Sequence, residues 1–237
     1  MNLKRLKNYL VLTLLAFVSI SASAVTSASS ISSKKQTLYS SSSHKTTPYR
    51  IPAIAVTADG KILAIADHRP GGADVGGNGY SANEVDIYAK IGTIDGNGNY
   101  SWTPSSNDPV NASNKIVIAN GSTSYGYGDA AVVTDSETGT ILVISVGGNR
   151  TFTSTSLSGY YDCCRFISTD NGNTWTSKGT VTSSIKSALS GKTLYGMFFA
   201  SGKILQSRII KKGNYYRIYS AILANEGGSP YCLWHWQ

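Results

Sequence analysis

Between Tyr49 and Asp74 the chain reads YRIPAIAVTADGKILAIADHRPGGAD, with two arginines and a carboxylate that could act together. An arginine presents a planar fork of N–H donors suited to holding a carboxylate through two parallel bonds. Holding a small anion needs only a local cluster of them. Asp74 follows Arg69 by five residues, in the glycine-rich run Gly71-Gly72-Ala73-Asp74-Val75-Gly76-Gly77-Asn78-Gly79. A carboxylic acid on a flexible loop could protonate a leaving oxygen and later activate water. Plainer readings stand beside these. Arg50 could be a surface charge next to a turn proline, Arg69 a solvated loop charge and Asp74 a turn residue. Asp67 and His68, between strand and loop, read as structural.

The elements that must position these residues are strands. Beyond about residue 44, short runs rich in Val, Ile, Tyr and Thr alternate with Gly, Asn, Asp and Ser. Only Ser183–Leu189 suggests a helical turn. An internal repeat is visible. Ala53-Ile54-Ala55-Val56 and Gly60–Ile65 parallel Ala130-Ala131-Val132-Val133 and Gly139–Ile144, with an offset of 79 residues between Gly60 and Gly139. Each unit continues into a strand, a Gly/Asn turn and a tryptophan, Trp102 and then Trp175. A third unit is expected from Phe198, through Gly202-Lys203-Ile204-Leu205 and Tyr215–Leu223. Repeated β units indicate an all-β propeller of long-looped, four-stranded blades, about three of them at about 70 residues each. A partial ring leaves open edges that would favour self-association. The last residues, Tyr231–Gln237, do not read as a closing strand and suggest a fragment or a frameshifted tail.

Residues 1–24 read as a signal peptide: Lys4, Arg5 and Lys7, an apolar run from Tyr9 to Ile20, then Ala22-Ser23-Ala24 as a cleavage site. The protein is therefore expected to be exported, with no transmembrane segment after cleavage. Residues 25–44 read as a flexible mature N-terminus and 45–237 as the partial propeller domain. The formal charge is +8, and the three leader cations reduce it to +5 for the mature chain. Those charges are scattered, which argues against a nucleic-acid partner. Adjacent Cys163 and Cys164 do not suit a bridge to each other, because its geometry is strained. A bond from one of them to Cys232 is open in an oxidising compartment, but buried thiols are the simpler expectation. No Cys/His spacing suggests a metal.

Two motifs carry a family resemblance. Tyr49-Arg50-Ile51-Pro52 resembles the arginine motif that opens bacterial and animal sialidases. Ser168-Thr169-Asp170-Asn171-Gly172-Asn173-Thr174-Trp175 fits the Asp box of that family, S-x-D-x-G-x-T-W. The resemblance covers roughly residues 45 to 225. It implies a six-bladed sialidase-type β-propeller, of which this chain supplies about the first three blades, acting on sialylated glycans as an exo-α-sialidase without cofactor or metal. It implies that Arg50, at the end of a leading inner strand, clamps the sugar carboxylate and that Asp74 is the general acid/base. Arg69 would contact the sugar near its 4-position. Asp129, at the start of the second blade, would line the pocket or else cap a turn. Tyr125 and Tyr127 would be pocket wall or core. Within the Asp box, Ser168, Asp170, Gly172, Thr174 and Trp175 would build a hairpin staple remote from the site. Asp95–Trp102 resembles a degenerate copy.

Sialidases depart from the two-carboxylate scheme by using a tyrosine nucleophile. A neutral phenol activated by a glutamate is not repelled by the substrate's carboxylate. Neither that tyrosine, its glutamate nor the remaining clamp arginines has a matching position here, and Glu226 lacks the expected continuation. The alternative is a non-catalytic Asp-box module that binds glycans. A further reading is a fragment without activity of its own.

Overall fold

A computed structural model describes residues 35–41, 48–72, 74–77, 84–227 and 230–236, the last of these as backbone. The expected leader, and residues 25–34 and 42–47, lie outside the described residues. The chain divides between Thr37 and Leu38 into two units, and every element below belongs to the second.

The architecture is all-β, in three sheets. Strands β1 (Tyr49–Val56), β2 (Ile62–His68), β3 (Asp86–Ile94) and β4 (Tyr100–Thr103) form the first sheet as an antiparallel meander. Strand β5 (Ile116–Ala119) completes the outer edge of β3, so that edge is covered in two pieces. Strands β6 (Gly126–Thr134), β7 (Ile141–Gly148), β8 (Tyr161–Ser168) and β9 (Thr176–Thr180) repeat the meander in the second sheet. A short helix, α1 (Thr182–Ala188), follows where a helical turn is expected.

The third sheet differs from the sequence expectation. Its first strand, β10 (Gly196–Phe199), starts two residues before Phe198. Gly202-Lys203 (β11) leaves this sheet and pairs in parallel with Ala131-Val132 of β6. The chain then returns as β12 (Leu205–Lys212), so β10 and β12 flank opposite ends of β13 (Tyr215–Asn225). Strand β14 (Pro230–Trp236) lines the other edge of β13. Period-2 alternation cannot show which neighbour a two-residue strand will choose.

Apolar residues on alternate strand positions meet between sheets. Leu63, Ile65, Ile87 and Ile118 of the first sheet pack on Val132, Ile141, Val143 and Phe166 of the second. The opposite face of the second sheet, with Ala131, Ile144 and Cys163, packs on Ile185 of α1 and on Met197, Phe199 and Ile222 of the third. Cys163 and Cys164 are both free and buried, in these two different layers, because neighbouring strand residues face opposite ways. Tyr125 and Tyr127 pack against the first layer and so belong to the core edge. Among the described residues no helix is long and apolar enough to cross a membrane.

Candidate active site

The first strands of the two meanders, β1 and β6, break register at equivalent places. In β1 the pairing with β2 jumps between Arg50 and Ala53; in β6 the pairing with β7 jumps between Gly128 and Ala131. Each jump is a bulge, two residues facing one, which re-aims side chains. Each holds a non-glycine residue in the left-handed region, Ile51 at φ 53° and Asp129 at φ 57°. A β-branched residue there is strained, by about 1–3 kcal/mol, and such strain collects at functional sites. Pro52 lies inside this bulge, where its missing N–H breaks no ladder bond. Arg50 is the second residue of β1, and Asp129 is the fourth of β6.

These bulges bring the candidate residues together. Arg69 is buried, at 1% exposure, and is no solvated loop charge. Its Nε and Nη2 donate to Asp67 Oδ2 at 3.1 and 2.6 Å, and Nη2 also donates to Asp129 Oδ1 at 3.0 Å. Its Nη1 donates to Asp74. Arg50 lies across from Asp67 in register, 3.6 Å from Asp74 Oδ1, and donates to Gly72 O at 2.9 Å. Turns closed by Gly72 N–H to Arg69 O and Gly77 N–H to Asp74 O, both 2.8 Å, fold the loop so that Asp74 sits over Arg69. Asp74 is the open member, its side chain 73% exposed.

Asp67, read from the sequence as structural, is fully buried. Burial pushes its carboxyl up to about 7 against the pull of Arg69, and Asp129 pushes the same way. Burial also raises Asp129, with Arg69 opposing. Arg69 itself is held above its ordinary value: burial lowers it, but Asp67 and Asp129 outweigh that.

Asp74 and Asp129 open onto a cleft of ≈ 500 Å³ walled by Val75, Phe152, Tyr161 and Phe198. Phe152 meets Phe198 edge-on at 5.1 Å between centroids. Two glycines are sterically required here. A Cβ on Gly128 would lie 2.8 Å from Asp67 Oδ2. A Cβ on Gly76, at φ 74°, would lie 2.2 Å from the Arg150 backbone. The cleft thus joins two carboxyl groups, one of them exposed, to an aromatic wall, with the guanidinium groups of Arg50 and Arg69 paired to those carboxyl groups from outside its lining. Among the described residues no cluster of three or more His, Cys, Asp or Glu side chains is arranged to hold a metal ion.

The Ser168–Trp175 hairpin is built as a staple. Ser168 Oγ accepts from Gly172 N–H at 2.9 Å and donates to Asp170 Oδ1 at 2.7 Å. Asp170 accepts from Thr174 N–H at 2.9 Å and from Thr174 Oγ1 at 2.6 Å. Trp175 Nε1 donates to Gly172 O at 3.0 Å and the indole packs on the layer between the first two sheets. Asp95 repeats the device more simply, accepting from the N–H groups of Asn97 and Asn99. Neither hairpin touches the cleft. Glu226 pairs with Lys192 at 2.9 Å.

Among solved structures, Hadza microbial sialidase Hz136 matches with a TM-score of 0.58 at 18% identity, over 80% of this chain and 35% of that one. The fold is the sialidase fold. The likeness at that identity is one of fold, and the chain spans about a third of that sialidase's length. The intramolecular trans-sialidase from Ruminococcus gnavus also matches, with a TM-score of 0.49 at 10% identity, over 84% of this chain and 63% of that one. No family model and no curated protein matches the chain.

Within the sialidase fold, the arginine motif, Arg69, Asp74 and Asp129 meet at one end of the inner strands. Sequence reasoning missed Asp67, Gly76, Gly128 and the aromatic wall. None of them carries a usable local signal: Asp67 lies on β2, but Arg69 lies just beyond its last residue, His68, so strand alternation does not pair the two.

Proposed function

We propose that this chain carries the sialic-acid-recognising part of an exported exo-α-sialidase that acts on sialylated glycans. The observation that supports it best is the ion-pair cluster of Arg50, Arg69, Asp74 and Asp129 in a sialidase fold, beside a cleft that Asp74 and Asp129 line. Arg50 holds the sugar carboxylate. Arg69 and Asp129 orient the ring. Asp74 serves as general acid/base, exchanging its contact with Arg69 for the glycosidic oxygen. Its exposure and the positive φ of Gly72 and Gly76 on either side leave room for that rotation. Export rests on the leader read from residues 1–24.

The second reading is a module that binds sialylated glycans without cleaving them. Tyr161 favours it. This phenol lines the cleft, but burial and the neighbouring Asp129 hold its pKa well above the ordinary tyrosine value, the reverse of an activated nucleophile.

The test is release of a fluorogenic aglycone from its α-sialoside by the full chain, beside an Asp74→Ala variant, with binding of free sialic acid measured in parallel. Turnover lost in the variant supports the enzyme. Substrates with natural, poor leaving groups should then slow far more than activated ones, since only they need the proton. Binding without turnover selects the binding module. Neither turnover nor binding refutes both. In either case Arg50→Ala is expected to abolish carboxylate-dependent binding.

A further inference from the structure

Asp67 has no part in the roles above, yet it holds the groups that do. Its Oδ2 accepts three donors: Arg69 Nε at 3.1 Å, Arg69 Nη2 at 2.6 Å and the Asp129 backbone N–H at 2.9 Å. The last of these sits in the strained bulge of β6, so one carboxylate oxygen fixes both the guanidinium and the bulge. Gly128 leaves that oxygen its space. Oδ1 is buried with no hydrogen-bond partner among the described residues. A bare ionised oxygen in that position is costlier than a neutral one.

The charges point the same way. Arg50 and Arg69 face three carboxyl groups, Asp67, Asp74 and Asp129. With Asp74 protonated for its role as acid, Asp67 and Asp129 cancel Arg50 and Arg69, and Tyr161, across the cleft, adds no positive charge. An anionic sugar then meets no net attraction in the cluster, and one further proton supplies it.

We infer that Asp67 is a positioning residue of this site, fixing Arg69 and the Asp129 bulge and carrying one proton while an anionic sugar is bound. The inference rests on the sialoside reading. Because burial has raised the Asp67 carboxyl to about 7, the uptake falls near neutrality. At pH 8 about a tenth of the molecules carry the proton, against about nine tenths at pH 6. Apparent affinity for the anion should therefore weaken about tenfold over that range.

The experiment uses the full chain with free N-acetylneuraminic acid as probe, at pH 6, 7 and 8. It follows the Asp67 carboxyl carbon and the Arg69 Nε–H by NMR, for wild type, Asp67→Asn and Asp67→Ala. The expected wild type binds about tenfold more tightly at pH 6 than at pH 8. Asp67→Asn keeps an acceptor for Arg69 and should bind independently of pH. Asp67→Ala should bind weakly throughout and lose the protected Arg69 Nε–H signal. An Asp67 carbon that titrates in the ordinary acid range overturns the inference, as does an Arg69 signal unchanged in Asp67→Ala. If no form binds the sugar but Asp67 titrates near neutrality and the Arg69 signal needs it, the sialoside reading fails while the positioning of Arg69 by Asp67 is supported. If Asp67→Ala does not fold, the wild-type titration and the pH dependence of Asp67→Asn still decide.

Discussion

Replacing Arg69 by methionine would remove the charge that compensates a fully buried carboxylate. Arg69 is 1% exposed and Asp67 0%, so solvent cannot take over. Of the three donors on Asp67 Oδ2, only the Asp129 N–H would remain. Breaking a buried pair on one side costs about 3–5 kcal/mol, because the partner charge is stranded. Asp67 can relieve this by binding a proton, which gives the cost a pH signature. A group whose folded pKa lies above its unfolded value makes stability fall as pH rises between the two. In the wild type the folded value is about 7 against 3.8 for an ordinary aspartate. From pH 6 to 8 the wild type should therefore lose about 1.4 kcal/mol from this group. In Arg69→Met the carboxyl stays protonated across the range, and the loss becomes about 2.7 kcal/mol. Urea denaturation of both proteins at pH 6 and 8 measures the difference directly. Equal destabilisation at the two pH values would show that Arg69 is not what sustains the Asp67 charge.

Gly76→Ala should displace the Asp74 loop: the left-handed backbone costs about 1–2 kcal/mol and the new Cβ meets the Arg150 backbone. Proteolysis at the loop should accelerate and sialic acid binding should fall, while the melting of the sheets changes little. Asp170→Ala should cost about 1–2 kcal/mol in urea denaturation through the lost Thr174 bonds, with sugar affinity unchanged. Although burial pushes the Asp170 carboxyl up, bonds from Thr174 and Ser168 hold it below the ordinary range. Its contribution to stability is therefore present above the unfolded value and lost as pH falls through the folded one. Asp170→Asn should accordingly be less sensitive to acid than the wild type, followed by circular dichroism from pH 5 downward.

Several features were legible along the chain because they are local. Strand alternation, the hairpin chemistry of Ser168–Trp175 and the offset repeat each depend on residues a few positions apart, and the three sheets follow them. The third sheet was less legible. Gly202-Lys203 is too short to show an alternation, and its partner, β6, lies about seventy residues away in the chain. Arg50, Arg69, Asp74 and Asp129 stand out by type and spacing. Asp67 does not, because a carboxylate two residues before an arginine has no meaning until both are known to be buried.

The all-β class, the repeat and the residues able to hold an anion could be read from the chain alone, since periodicity and side-chain chemistry are local properties. Packing settled the rest: Arg69 is buried among three carboxyl groups, Asp67 is the fully buried one of them, and the bulges at Ile51 and Asp129 flank one ion-pair cluster. Those properties depend on which strands pack together. A carboxylate's charge follows its surroundings, and residues sixty positions apart in the chain supply them.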